Sequence, residues 1–62
     1  MKTRILVVDD ERSMREMLCI LLEREGYEAV EAKNADEALQ LFEGSIFDLV
    51  ISDIQMPGFH RY

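Results

Sequence analysis

The residues best suited to chemistry in this sequence are three aspartates that follow apolar segments. Asp9 and Asp10 come directly after the run at residues 5–8, and Asp53 comes directly after a second run at residues 47–52. If the two runs are neighbouring parallel strands, the three carboxylates meet at one edge of a sheet. Like charges brought this close are unfavourable unless a cation, a proton or a phosphoryl-binding role compensates them.

Hydrophobic patterning predicts the first elements that position these acids. Residues 4–9 form a short aliphatic run without alternation, which is typical of a strand covered on both faces. Residues from about 11 to 25 predict a helix that Gly26 ends in the left-handed conformation. Residues 27–32 predict a second strand, whose polarity is typical of a sheet edge. The helix carries an apolar stripe with helical spacing: Met14, Met17, Leu18, Leu21 and Leu22.

The second half of the sequence repeats this alternation. Asn34 is predicted as the N-cap of a second helix, with Glu37 completing a capping box and Gly44 ending it. Residues 46–52 predict a third strand, and residues 57–58 predict a turn. The apolar face of the helix is predicted at four positions: Ala35, Ala38, Leu39 and Phe42. The order β-α-β-α-β predicts an α/β fold with a parallel sheet, and the flavodoxin-like arrangement gives the strand order 2-1-3.

Length and composition limit the classes of protein that fit. The 62 residues permit one domain, spanning residues 1–62, and the net charge of −6 argues against direct binding of nucleic acid. The single cysteine, Cys19, cannot form an internal disulfide and is interpreted as a buried thiol. No apolar run is long enough for a membrane span or a signal peptide, so we expect a cytoplasmic protein.

The three carboxylates favour a hard divalent cation, because Mg²⁺ prefers oxygen ligands and is often held together with phosphate oxygens. In this interpretation Asp9 and Asp10 hold the metal, and Asp53 is the nucleophile that forms an acyl phosphate. A plainer interpretation fits the same spacing. Asp10 is then only the N-cap of the first helix, and Asp53 only opens a turn.

Four segments of the chain resemble a known family. Residues 5–11, the helix and turn at residues 18–27, residues 35–39 and residues 47–58 together resemble the receiver domain of response regulators in bacterial two-component systems. The most specific segment is Asp53-Ile54-Gln55-Met56-Pro57-Gly58, which follows the third predicted strand.

The resemblance implies a role for each matching residue. Asp53 is the aspartate that takes a phosphoryl group from a sensor histidine kinase, and Asp9 and Asp10 place Mg²⁺. The backbone carbonyl of Gln55 completes the metal site, and residues 13–21 on the first helix form the region where such kinases dock. A loop beside the phosphorylation site is formed by Met56, Pro57 and Gly58.

The sequence also departs from the family pattern. The family fold has five strands and five helices, so this chain is interpreted as a half domain truncated after the third strand. The tail at residues 59–62 does not follow the family, and the Ser/Thr and Lys that end later strands are absent. We therefore expect weak Mg²⁺ binding, slow or undetectable phosphorylation of Asp53, and no enzyme activity beyond residual autophosphorylation and autodephosphorylation.

A bare third strand would leave backbone donors and acceptors unpaired at a sheet edge. We therefore expect a homodimer through the third strand and exposed helix faces, in which the third strands of two copies pair antiparallel to give six strands. A domain swap is the competing arrangement. An alternative function is a non-signalling fragment that self-associates in this way. A separate Mg²⁺-dependent phosphotransfer enzyme or hydrolase is a third interpretation, and no second acid/base candidate in the sequence favours it.

Overall fold

The computed structural model describes residues 2–52, and the predicted turn at residues 57–58 and the tail lie outside that range. Strands and helices alternate in the predicted order: β1 (Arg4–Val8), α1 (Arg12–Arg24), β2 (Glu28–Ala32), α2 (Ala35–Gly44) and β3 (Leu49–Ser52). β1 pairs in parallel with β2 on one side and with β3 on the other, so the strand order is β2-β1-β3. The predicted half of a flavodoxin-like fold is confirmed.

β1 is the centre of the structure because apolar layers cover both of its faces. Ile5 and Val7 pack with Cys19 of α1 on one face. Leu6 and Val8 pack with Ala38 of α2 on the other face, together with residues of β2 and β3. The unbroken aliphatic run at residues 5–8 follows from this two-sided burial, since these four positions of β1 are buried.

α1 ends in the left-handed turn that the sequence predicts. Gly26 has φ of 95°, a conformation that glycine adopts without steric cost. The amide of Tyr27 donates to the carbonyl of Leu22 at 3.1 Å, and the amide of Gly26 donates to the carbonyl of Glu23 at 3.0 Å. These two bonds form a Schellman motif, which turns the chain back toward β2.

The predicted apolar stripe of α1 is only partly correct. Leu18 and Leu22 do face the sheet, together with Cys19. The side chains that lie outward, each 40–48% exposed, are Met14, Met17 and Leu21. The helix is apolar around much of its circumference, so periodicity alone did not determine which stripe packs on the strands.

The capping box of α2 forms, with one shift. The Asn34 side chain accepts from the amide of Glu37 at 2.8 Å, as predicted. The Glu37 carboxylate accepts from the amide of Lys33 at 2.9 Å, one residue before the N-cap. Within residues 2–52, neither helix is long and apolar enough to cross a membrane.

The predicted apolar face of α2 needs one correction. Ala38 is buried and Ala35 packs beside it, but Leu39 is 50% exposed. Leu41 packs against the core instead, because it lies three residues after Ala38 on the same side of the helix. Phe42 is partly exposed, and its ring meets the ring of Phe47 edge-on at 5.7 Å.

The third strand begins later than predicted, at Leu49 rather than at residue 46. The Asp48 carboxylate accepts from the amide of Arg4 at 2.8 Å, and the amide of Asp48 donates to the carbonyl of Arg4 at 2.8 Å. The guanidinium of Arg4 also lies 4.9 Å from the centre of the Phe47 ring. These contacts hold the segment before β3 against the start of β1 without extending the strand ladder.

β2 lies at an edge of the described sheet, as its polarity predicts. Glu28 and Glu31 are exposed, whereas Ala32 is buried beside β1. The two glutamates pair with Arg4 and Arg15 respectively, at 3.1 Å and 2.8 Å. Charged side chains on an edge strand discourage pairing with other chains.

Candidate functional site

The carboxyl ends of β1 and β3 lie side by side. Val8 is in register with Ser52, and these are the last residues of the two strands. Asp9 and Asp53 are the next residues in the sequence. Asp53 lies outside the described residues, and so do the other predicted site residues beyond β3: Gln55, Met56, Pro57 and Gly58.

Asp9 is buried, with 3% of its surface exposed. Its amide donates to the carbonyl of Ala32 at the end of β2, at 3.1 Å. Its Oδ1 atom accepts from the amide of Glu11 at 2.9 Å, which fixes the turn into α1. Its Oδ2 atom is buried and finds no hydrogen-bond donor among residues 2–52.

Arg15 holds the backbone of Asp9 from the first turns of α1. Its Nη1 atom donates to the carbonyl of Asp9 at 2.8 Å. Its Nε atom donates to the Glu31 carboxylate of β2, also at 2.8 Å, and the Arg15 side chain is 13% exposed. A single guanidinium therefore ties the loop after β1 to the edge strand.

Asp10 is exposed and is not the N-cap of α1. The N-cap is Glu11, whose side chain makes no capping bond. The interpretation of Asp10 as a helix cap is therefore wrong. Its carboxylate is available for another role beside the buried Asp9.

The described part of this edge fits a hard cation. A buried carboxylate oxygen without a donor is costly unless a positive charge approaches it, and oxygen ligands are those that Mg²⁺ prefers. Residues 2–52 contain no group of three or more acidic, histidine or cysteine side chains that could hold a metal. Asp9 and Asp10 are thus two of the four predicted metal ligands, and the other two, Asp53 and Gln55, lie outside the described residues.

Arg15 is the site residue that the sequence interpretation missed. It lies on the same stripe of α1 as Leu18, Cys19 and Leu22, at the spacing i, i+3, i+4 and i+7. An arginine in line with residues that face a sheet is a usable signal, because a buried guanidinium needs partners. The sequence interpretation placed the apolar stripe on a different side of α1, so this alignment was not recognised.

Cys19 is buried, as predicted. Burial raises the pKa of its thiol, and the negative charges of Glu31 and Glu23 raise it further. A thiol in this environment stays protonated and unreactive at neutral pH. Its role is therefore packing between α1 and β1.

The described residues form an α/β fold in which two adjacent acids, Asp9 and Asp10, follow the carboxyl end of the central parallel strand. The sequence pattern of the response regulator receiver domain matches residues 5–60. The chain belongs to this family.

Two curated relatives illustrate the similarity. The chain is 52% identical over 55 residues to the CAI-1 autoinducer sensor kinase/phosphatase CqsS of Vibrio cholerae, covering 89% of this chain and 8% of that protein. It is 47% identical over 57 residues to the transcriptional regulatory protein ResD of Bacillus subtilis, covering 92% of this chain and 24% of that protein. The chain therefore spans a quarter or less of the length of these relatives.

Two solved structures of the response regulator TrrA from Thermotoga maritima are also similar to the chain. The structure of TrrA in complex with Mg²⁺-BeF matches with a TM-score of 0.80 and 55% identity, covering 90% of this chain and 49% of that one. TrrA in complex with the histidine kinase ThkA matches with a TM-score of 0.79 and 55% identity, covering 90% and 48%. The chain thus corresponds to about half of a solved receiver.

Proposed function

We propose that this chain is the phosphoacceptor part of a two-component receiver, in which Asp53 takes a phosphoryl group from a sensor histidine kinase. Mg²⁺ is held by the carboxylates of Asp9, Asp10 and Asp53 and by the backbone carbonyl of Gln55. The observation that carries the proposal is the buried Oδ2 atom of Asp9, which finds no donor in residues 2–52 and lies where β1 and β3 end together.

Each residue has a separate role in the proposed reaction. A carboxylate oxygen of Asp53 forms a bond to phosphorus while the bond from phosphorus to the donor's imidazole nitrogen breaks. Asp9 is held at the base of the site by the amide of Glu11, and Asp10 is exposed beside it. When bound, Mg²⁺ would supply positive charge that offsets the negative charge of the phosphoryl oxygens. No separate enzyme activity is part of the proposal.

The similarity to TrrA supports both the metal and the partner. One TrrA structure contains Mg²⁺-BeF, and another contains the histidine kinase ThkA. We assign residues 13–21 of α1 as the kinase-docking surface, since this helix presents exposed methionine and leucine side chains there. With a kinase partner of this type, the proposed location is the cytoplasm.

Incubation with a small acyl-phosphate donor tests the phosphoacceptor assignment. We expect slow incorporation of one phosphate, measured by intact mass, that requires Mg²⁺ and stops when EDTA is added. The Asp53→Asn variant is expected to incorporate none, whereas Asp36→Asn, which changes an exposed acid of α2, should behave as wild type. Labelling that persists in Asp53→Asn or in EDTA would contradict the assignment.

Self-association is a second candidate function, favoured by exposed apolar surface. Leu49 on β3 is 52% exposed, and β3 pairs only with β1 among the strands of residues 2–52. Antiparallel pairing of β3 with β3 of a second copy would give a continuous six-stranded sheet and cover Leu49. The net charge of −6 opposes this association at low ionic strength.

Sedimentation at micromolar concentration tests the pairing. We expect a dimer whose population increases with salt, because screening weakens the repulsion between like-charged copies. Leu49→Lys is expected to give a folded monomer. Leu39→Lys places the same charge at an equally exposed leucine of α2 and should leave the dimer intact. A folded wild-type monomer at all salt concentrations would exclude this candidate.

A further inference from the structure

Arg15 makes contacts that an ordinary surface arginine does not make. Its side chain is mostly buried, and it bonds simultaneously to the carbonyl of Asp9 and to the carboxylate of Glu31. The other arginine near the start of α1, Arg12, bonds to Glu16 one turn away on the same helix, and its side chain is 81% exposed. The two arginines therefore provide a matched comparison on one helix.

The position of the Asp9 carboxylate depends on its backbone. The Asp9 carbonyl is fixed by Arg15, its amide is fixed by Ala32, and its Oδ1 atom receives the amide of Glu11. With these groups held, the remaining atom, Oδ2, has a defined direction. Removing the Arg15 bond frees the loop between β1 and α1, because a buried carbonyl then lacks its charged donor.

We propose that Arg15 is a positioning residue for the cation site: its guanidinium anchors the Asp9 backbone to β2 and so aims the Asp9 carboxylate at the metal. The effect of Arg15 on Mg²⁺ binding rests on the proposed function, whereas the anchoring of the Asp9 backbone by Arg15 does not. Groups that orient a metal ligand typically change metal affinity by about 10–100-fold when they are removed.

The sign of the effect separates this role from simple electrostatics. Arg15 is a positive charge close to a site for a cation, so as a charge alone it repels Mg²⁺. If charge were its whole contribution, replacing it with a neutral side chain would tighten Mg²⁺ binding. A positioning role requires the opposite result, since the geometric loss exceeds the relief of repulsion.

Mg²⁺ titration of the full chain, followed by nuclear magnetic resonance, is the decisive experiment. Arg15→Met keeps the aliphatic stem and removes the donors and the charge. We expect it to weaken Mg²⁺ binding by about tenfold or more. Arg15→Lys, which keeps the charge and one donor group, should fall between Arg15→Met and wild type. Arg12→Met is the matched control and should bind Mg²⁺ like wild type.

Amide hydrogen exchange without metal gives a second readout. The Glu11 amide, which donates to Asp9, is expected to exchange roughly tenfold faster in Arg15→Met, the change given by loss of one charge-assisted hydrogen bond. It should be unchanged in Arg12→Met. Circular dichroism tests whether each variant is folded. If Arg15→Met does not fold, the same two measurements are made on Arg15→Lys.

The outcomes distinguish the two hypotheses. Equal or tighter Mg²⁺ binding by Arg15→Met, or an unchanged Glu11 exchange rate, overturns the positioning role. A wild-type chain that binds no Mg²⁺ refutes the proposed function instead, and the exchange measurement then still decides whether Arg15 holds the loop.

Discussion

Asp9→Asn is expected to make the metal-free protein more stable while it removes most of its Mg²⁺ affinity. The Asp9 side chain is buried, and its Oδ2 atom receives no donor from residues 2–52. A buried carboxylate oxygen that receives no donor opposes folding. Asparagine removes the charge and keeps an oxygen that accepts from the amide of Glu11. We expect a gain of about 1 kcal/mol in the free energy of unfolding, measured by urea denaturation in EDTA.

Added Mg²⁺ should reverse the order of the two proteins. A ligand that binds only the folded state stabilises it by about 2.7 kcal/mol at one hundred times its dissociation constant. Wild type is expected to gain this stability, and Asp9→Asn is expected to gain little because its affinity falls more than about tenfold. The two unfolding curves therefore cross as Mg²⁺ increases.

Asp10→Asn is the control, because it removes a negative charge that is exposed rather than buried. Asp10 is exposed, so its neutralisation should leave the stability in EDTA nearly unchanged and weaken only the response to Mg²⁺. If Asp9→Asn is less stable than wild type in EDTA, the prediction is wrong, because other groups of the protein then stabilise the buried carboxylate. If Mg²⁺ stabilises Asp9→Asn as much as wild type, the metal does not use Asp9.

Leu6→Ala is expected to cost most of the stability of the fold. Leu6 has no exposed surface and packs with Ala38, Val8 and Ala32 in the middle of the sheet. Buried leucine-to-alanine substitutions cost about 2–5 kcal/mol. At about 0.05–0.15 kcal/mol per residue, the 62-residue chain has about 3–9 kcal/mol in total. Urea denaturation followed by circular dichroism should show a large shift or loss of the folded baseline.

Leu39→Ala applies the same chemical change at a half-exposed position of α2. It should alter the unfolding midpoint little, because it opens no cavity and alanine favours the helix. Leu6→Met preserves the volume and should cost less than about 1.5 kcal/mol. Similar losses for Leu6→Ala and Leu39→Ala would show that β1 is not the centre of the core.

The order of elements could be predicted from the sequence because local rules agree with the fold. Gly26 and Asn34 end and begin helices through bonds to their own neighbours, and residues 5–8 of β1 are all apolar because both faces are covered. The packed face of α1 and the start of β3 could not be predicted. Both depend on tertiary partners: the former on β1 and β2, and the latter on the bond between Asp48 and Arg4.

For the candidate site, the acidic residues could be predicted from the sequence, but the groups that hold them in place could not. Residue type and the ends of apolar runs are sufficient to place Asp9 and Asp10 at the edge of a sheet. The burial of one and the exposure of the other depend on the turn into α1, which the Asp9–Glu11 bond closes. Arg15 was missed because its partners, Asp9 and Glu31, are six and sixteen residues distant in sequence.

The pairing of Arg4 with Asp48 has a consequence for the order of folding. Arg4 is separated by 24 residues from its partner on β2 and by 44 from Asp48. Closing the longer loop costs roughly 0.5 kcal/mol more chain entropy, and contacts that are more distant in sequence form later. β1, α1 and β2 are therefore expected to assemble first, with β3 joining last. Asp53, the proposed phosphoacceptor, directly follows β3 in the sequence, so the strand that leads to it is expected to be the last to join the sheet.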